Sequence, residues 1–179
     1  MPKRSLPKQR QRQPGLESKM YPAPESVRPG YAGAGKLRDR VAIVTGGDSG
    51  IGRAVAMTFA LEGADVVICH LPKEEADAKE TARMVELVGR KALRFSSDVG
   101  MSKNCEKIVR ETLKKLGRLD IVVNNAAEQH VQQSLTDITD EQLERTFRTN
   151  IFAHFFMSRA ALPHLKAGAS IINTTSVTA

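Results

Sequence analysis

The chain has no tryptophan, only two tyrosines, and 4% aromatic residues in all. Proteins that hold single-stranded nucleic acid stack bases on aromatic side chains, and the basic stretch from Met1 to Gln13 offers none. That stretch also accounts for most of the charge imbalance. Residues 1–35 carry seven Lys/Arg against two Asp/Glu, so the formal +7 of the chain falls to +2 (20 basic, 18 acidic) from residue 36 onward. A nucleic-acid partner is not expected. The sequence also lacks an apolar run long enough to span a bilayer, and its N-terminus lacks the apolar core of a secretory signal. No membrane partner is expected, and a cytoplasmic location follows. Cysteine is scarce too: Cys69 and Cys105 have no metal-ligand spacing, so no metal is expected and both read as free, buried thiols.

What is present is 41% hydrophobic content over 179 residues, enough for one globular domain. Residues 1–35 combine Pro, Gly, Gln and Arg without periodicity. They read as a flexible basic arm, mobile or lying extended over the surface, and dispensable for the fold. Residues 36–179 alternate short β-branched runs with longer helical ones, the pattern of βαβ units in an α/β, doubly wound parallel sheet. Strands are expected at Val41–Thr45, Val66–Cys69, Ala92–Ser96, Ile121–Val123 and from Ile171. Helices are expected over Ile51–Glu62, over Glu74–Val88 with Ala76, Ala82, Val85 and Val88 on the sheet, and over Ser102–Leu116 with Ile108, Val109, Leu113 and Leu116 inward. A longer helix starts at the Thr139-x-x-Gln142 capping box and runs to Pro163, with Leu143, Phe147, Ile151, Phe155 and Leu162 as its apolar face.

The most informative stretch is Val41-Ala-Ile-Val-Thr-Gly-Gly-Asp-Ser-Gly-Ile-Gly52, a strand running straight into a glycine cluster. Gly46, Gly50 and Gly52 can divide three jobs: a tight turn, close approach of backbone to a pyrophosphate, and packing of the following helix on the strand. The first turn of that helix offers N–H groups and a partial positive charge to a diphosphate. No Lys-Ser/Thr follows, as a nucleoside-triphosphate loop would need, so a nicotinamide dinucleotide is favoured over ATP. Crossover geometry places the loops after the strands along one edge of the sheet, where a ligand should bind.

Thr45-Gly-Gly-Asp-Ser-Gly-Ile-Gly52 resembles the Thr-Gly-x-x-x-Gly-Ile-Gly of the short-chain dehydrogenase/reductase family. Gln13-Pro-Gly-Leu-Glu-Ser-Lys-Met20 is similar to the N-terminal lead of a bacterial and plant subgroup of that family. The resemblance implies a Rossmann-like fold, NADP or NAD as cofactor, and hydride exchange with a small-molecule alcohol or carbonyl substrate. It implies a homo-oligomer for a complete family member. Cofactor contacts are then expected from Gly46, Asp48, Ser49, Gly50, Ile51 and Gly52. After the second strand, His70 and Leu71 stand where an acidic residue would select NAD, with Lys73 just beyond, which favours NADP. Phe95-Ser-Ser-Asp98-Val99 matches an adenine-contacting Asp-Val pair, the alternative being that Asp98 caps the next helix. Asn124-Asn125-Ala126-Ala127 resembles the family's Asn-Asn-Ala-Gly, with Asn125 either touching cofactor or tying strands together.

The same resemblance assigns catalytic roles to Asn150, which would hold a water in a proton relay, and to Ser176 in Asn173-Thr-Thr-Ser176. Thr174 and Thr175 are hydroxyls near the same strand end and stay as alternatives. The family's Tyr-x-x-x-Lys does not occur: the tyrosines are Tyr21 and Tyr31, both in the arm. The expected reading is thus a dinucleotide-binding Rossmann domain that ends before that motif. The alternative is a nucleotide-binding or interaction module without catalysis.

Overall fold

A computed structural model describes residues 7–11 and 15–176 of the chain. Residues 1–6 and 12–14 of the basic arm, and 177–179 at the end of the expected domain, lie outside the described residues. The β-branched runs form strands Val41–Thr45 (β1), Asp65–His70 (β2), Ala92–Ser96 (β3), Ile121–Asn124 (β4) and Ser170–Asn173 (β5). All pair in parallel, in the order β3-β2-β1-β4-β5. The order reverses between β1 and β4, so the loops that leave these strands part and open a crevice at their carboxyl ends.

Helices cover both faces. Gly50–Leu61 (α1) and Glu75–Leu87 (α2) lie on one side, Ser102–Leu116 (α3) and Ala153–Ala161 (α5) on the other. Strands β1 and β4 are buried along their whole length, which is why their sequences do not alternate. Ile43 points into one layer with Val67, Ile108, Val122 and Met157, while Val44 points into the other with Val66, Ile68 and Val85. Each such side chain stabilises the fold by about 1.5–3 kcal/mol through removal from water. Cys69 and Cys105 are buried free thiols, as their sequence context suggests.

Two helix faces differ from expectation. On α2, Ala82 and Val85 do cover the sheet, but Ala78 and Thr81 complete that face, while Ala76 and Val88 are exposed. The 3.6-residue period puts 78, 81, 82 and 85 on one side and turns 76 away, while Val88 lies past the last turn as the C-cap residue. The longer helix begins as expected, with the Thr139 hydroxyl accepting the Gln142 N–H at 3.2 Å. It then consists of Asp140–Phe147 (α4), a π turn at Arg148–Phe152 and α5. The expected apolar face is outward: Leu143, Phe147, Ile151, Phe155 and Leu162 are 48% to 64% exposed. The buried face is Thr149, Ala153, Met157 and Ala161, spaced by four, whose two alanines let α5 approach Cys105, Ile108 and Val109 of α3.

From residue 15 the N-terminal segment is laid against the domain. Glu17 is buried, and its own N–H is taken by Asp77 Oδ2 at 2.7 Å. Further along, Tyr31 Oη donates to Glu62, and the Ala34 and Lys36 N–H groups reach Glu62 Oε2 at 3.0 and 2.9 Å. The segment therefore grips α1 near both of its ends, a placement that argues against its being dispensable.

Candidate functional site

Glycine is required at the end of β1 for three different reasons. Gly46 has φ +62°, and a Cβ there would lie 3.0 Å from the Ala126 Cα. Gly52 has ordinary backbone angles, but its Cβ would fall 1.9 Å from the Gly46 carbonyl oxygen, so α1 packs on the turn only without a side chain. Gly50 has φ +52° with nothing within 4 Å of its would-be Cβ, leaving open space over the first turn of α1.

Beside this turn, a cleft of about 510 Å³ runs along the carboxyl edge of the sheet. Gly46, Asp48, Ser49, Ile51, His70, Asp98, Val99 and Asn125 all line it, together with Lys73, Glu74, Ala127, Glu128, Arg145 and, from the N-terminal segment, Gly15. Gly50 and Gly52 are not among the residues that line it.

Asp48 is buried and its Oδ2 has no partner among the described residues. Burial pushes its carboxyl pKa up. Such an acceptor calls for a hydrogen-bond donor from a bound molecule. Glu74 lies on the same wall, accepts the Leu71 N–H at 2.7 Å and is pushed by burial to a pKa of about 7. His70 borders the cleft, but its ring is buried: Nδ1 lies 2.9 Å from the Leu71 carbonyl oxygen and Nε2 3.3 Å from Glu75 Oε2. Of the two basic residues expected near a ribose phosphate, Lys73 is the one whose side chain reaches solvent.

Asp98 does not cap α3, whose N-cap residue is Met101. Its Oδ1 accepts the Gly100 N–H at 2.8 Å and its Oδ2 pairs with Arg145 Nη1 at 2.5 Å. The same guanidinium holds Glu128 Oε2 through Nε at 2.7 Å. Burial disfavours ionised Glu128, but His130 and Arg145 outweigh it and lower its pKa. Arg145 thus joins α4 to the β3 and β4 loops across the cleft.

Asn125 serves the scaffold. Its Nδ2 donates to the Thr45 and Gly46 carbonyls at 3.2 and 3.3 Å, tying the β4 end to the β1 turn. Its neighbour Asn124 donates from Nδ2 to Asn173 Oδ1 at 2.8 Å and so joins β4 to β5.

The two expected catalytic residues stand at the same sheet edge but outside the cleft lining. Asn150 lies within the π turn. Its Oδ1 accepts the Glu128 N–H and its Nδ2 donates to the Glu128 carbonyl, both at 2.8 Å. Ser176 follows β5 by three residues and is exposed. Thr174 is held by its N–H to the Asn124 carbonyl at 2.9 Å.

Several residues here escaped sequence reasoning. Arg53 is the single charge in the otherwise apolar Gly50–Leu61 helix, and that isolation was a readable signal. Its partner Glu17 is one of two acids in a basic arm. Glu74 and Arg145 gave no signal, because charged residues on helices are ordinarily solvated.

The family profile for short chain dehydrogenases matches residues 40–179. An uncharacterized oxidoreductase of Bacillus subtilis, YhdF, is 55% identical over 173 residues, covering 97% of this chain and 60% of that protein. The glucose and ribitol dehydrogenase of Daucus carota is 46% identical over 178 residues, covering 97% of this chain and 61% of that protein. A Burkholderia cenocepacia short chain dehydrogenase solved in complex with NADP superposes with a TM-score of 0.76 at 34% identity, over 79% of this chain and 57% of that one. The chain therefore spans about 60% of the length of the curated relatives it matches. With the parallel sheet, the glycine turn and the cleft between β1 and β4, these matches show that the chain belongs to the short-chain dehydrogenase/reductase family.

Proposed function

We propose that this chain carries the dinucleotide-binding part of an oxidoreductase that interconverts an alcohol and a carbonyl compound using NADP(H) or NAD(H). The observation that carries the reading is the cleft itself. The Gly46 turn, Ile51 in the first turn of α1 and Asp48, whose Oδ2 has no partner among the described residues, line one space at the point where the strand order reverses. The residues present fit such a cofactor: α1 can receive a pyrophosphate, Asp48 can accept from a hydroxyl, and Asp98 can accept from an adenine amino group. When bound, the nicotinamide supplies or takes up the hydride. Asn150 fixes the β4 loop by its side chain while the π turn alters the backbone bonding around it, with the Ala153 N–H reaching back five residues to the Arg148 carbonyl. That arrangement suits the water-holding role assigned to Asn150. Ser176, with Thr174 and Thr175 as the other hydroxyls of that segment, would hydrogen-bond the substrate oxygen.

Among the described residues no helix is long and apolar enough to cross a membrane, and with two free thiols this supports a cytoplasmic protein. We assign self-association to a complete family member, supported by the outward Phe147, Ile151 and Phe155. Titration of the chain with NADPH and NADH, followed by nucleotide fluorescence, tests the proposal. Saturable binding of either supports it, and no binding of both at millimolar concentration rejects it.

A further inference from the structure

Glu17 is buried although it comes from a basic, proline- and glutamine-rich stretch. A carboxylate is tolerated in that position only when paired and hydrogen-bonded. Its Oε2 accepts the Gly50 N–H at 2.5 Å, and its Oε1 is ion-paired with Arg53 Nη1. Asp77 holds the backbone around it, through the N–H groups of Glu17 and Ser18 at 2.7 and 3.2 Å. Arg53 extends the network. Its Nε donates to the Asp48 carbonyl at 2.9 Å and to Thr81 Oγ1 at 2.8 Å, and its Nη2 donates to the Asp77 carbonyl at 3.1 Å. One guanidinium thereby fastens the N-terminal segment, the glycine turn and α2 to each other. Two residues before Glu17, Gly15 forms part of the cleft wall beside Asp48 and Ser49.

We propose that Glu17 is a positioning residue of the dinucleotide site, and that the segment around it is a built-in wall of that site. The proposal rests on the dinucleotide reading given above. Glu17 takes the Gly50 N–H for itself, so a pyrophosphate is received by the N–H groups that follow in the first turn of α1. Its negative charge does not cancel the field of the helix there, because Arg53 neutralises it. Its work is to hold Gly50, and through Arg53 the Asp48 carbonyl, in the geometry the ligand meets. Preorganisation of this kind lowers the ordering cost of binding.

The test measures dissociation constants of NADPH and NADH for the full 179-residue chain and for Glu17→Ala, Glu17→Gln and Tyr31→Phe, with urea midpoints for each. Glu17→Ala should weaken binding about tenfold, and Glu17→Gln, which keeps an acceptor for Gly50 but loses the ion pair, about threefold. Tyr31→Phe releases the other anchor of the same segment at Glu62, away from the cleft, and should lower the midpoint while leaving affinity unchanged. The proposal is overturned by unchanged affinity in folded Glu17 variants, or by an equal loss of affinity in Tyr31→Phe, which would make the segment merely structural. Tighter binding in Glu17→Ala would also overturn it, since the carboxylate would then be competing with the pyrophosphate. If Glu17→Ala does not fold, the isosteric Glu17→Gln decides: wild-type affinity rejects the role. Failure of the unsubstituted chain to bind either nucleotide is a separate result, which rejects the dinucleotide reading and this proposal with it.

Discussion

The Thr45 hydroxyl oxygen accepts two successive N–H groups, those of Asn125 at 2.9 Å and Ala126 at 3.0 Å, and lies 3.3 Å from the Val123 carbonyl to which it donates. The ends of β1 and β4 are thus joined by one side chain at the base of the cleft. Thr45→Val keeps the shape and removes the acceptor, leaving two N–H groups unpaired. We expect a loss of about 1–3 kcal/mol in urea unfolding, with Thr45→Ser close to wild type. Equal stability of the Val and Ser variants would show that water replaces the hydroxyl.

Gly50→Val should abolish dinucleotide binding. The substitution forces a β-branched residue into φ +52° and fills the open space over α1. A titration with unchanged affinity would show that the ligand does not approach the helix there. Gly52→Ala makes a useful contrast: its Cβ would meet the Gly46 carbonyl, so folding itself should suffer.

The strands and the glycine turn were legible because their chemistry is local. Unbroken β-branched runs such as Ile121-Val-Val123 can only be strands buried on both sides, and the glycines must satisfy backbone geometry wherever the chain goes. The long helix was legible in extent but not in orientation. Large apolar residues at 143, 147, 151, 155 and 162 drew the eye to one face, whereas the packed face is built on Ala153 and Ala161, chosen for closeness rather than size. The π turn leaves no mark in hydrophobic periodicity. His70 borders the cleft, but its burial depends on Glu75 and the Leu71 carbonyl, partners that spacing alone does not reveal.

Cofactor choice should respond to Lys73 more than to His70, because the imidazole is enclosed while Lys73 opens to the cleft. Lys73→Ala is expected to weaken NADPH relative to NADH, by removing a positive charge that a 2′-phosphate would meet. If the ratio of the two dissociation constants is the same before and after, Lys73 does not read the ribose.

Glu74 gives the cleft a pH dependence. Its pKa of about 7 lies above the ordinary 4.5, so between these values the folded state holds a proton that the unfolded state has released. Stability contributed by this group is present below about pH 4.5 and declines as the pH rises toward 7. The urea midpoint of Glu74→Gln, compared with wild type, should therefore improve from pH 5 to pH 8. A difference between the two proteins that is constant with pH would refute the assignment.

The 179-residue chain should bind a nicotinamide yet fail to reduce carbonyls at an enzyme-like rate. Hydride arrival creates an alkoxide that must be protonated, and a serine hydroxyl such as that of Ser176 is too weak an acid to do so alone. A positioned general acid contributes about 10²–10⁴ in rate. Turnover with a panel of aldehydes and ketones would be compared with that of a chain extended through a Tyr-x-x-x-Lys segment. Similar rates would mean that a group already present serves as the acid.

The π turn at Arg148–Phe152 keeps one face of a long helix in line. Residues four apart drift by about 40° per step in an α-helix, so a stripe that runs by fours would wind off its face within a few turns. One additional residue in the turn sets the direction back by about 100° and returns the stripe to its side. Arg145 and Thr149 at its start therefore meet the cleft, while Ala153, Met157 and Ala161 further along meet α3. The two halves meet different neighbours, so substitutions that retune the cleft from α4 need not disturb the seam that α5 makes with the core. Deleting one residue within the turn should restore an unbroken α-helix with both faces where they are, leaving the exposed phenylalanines in solvent.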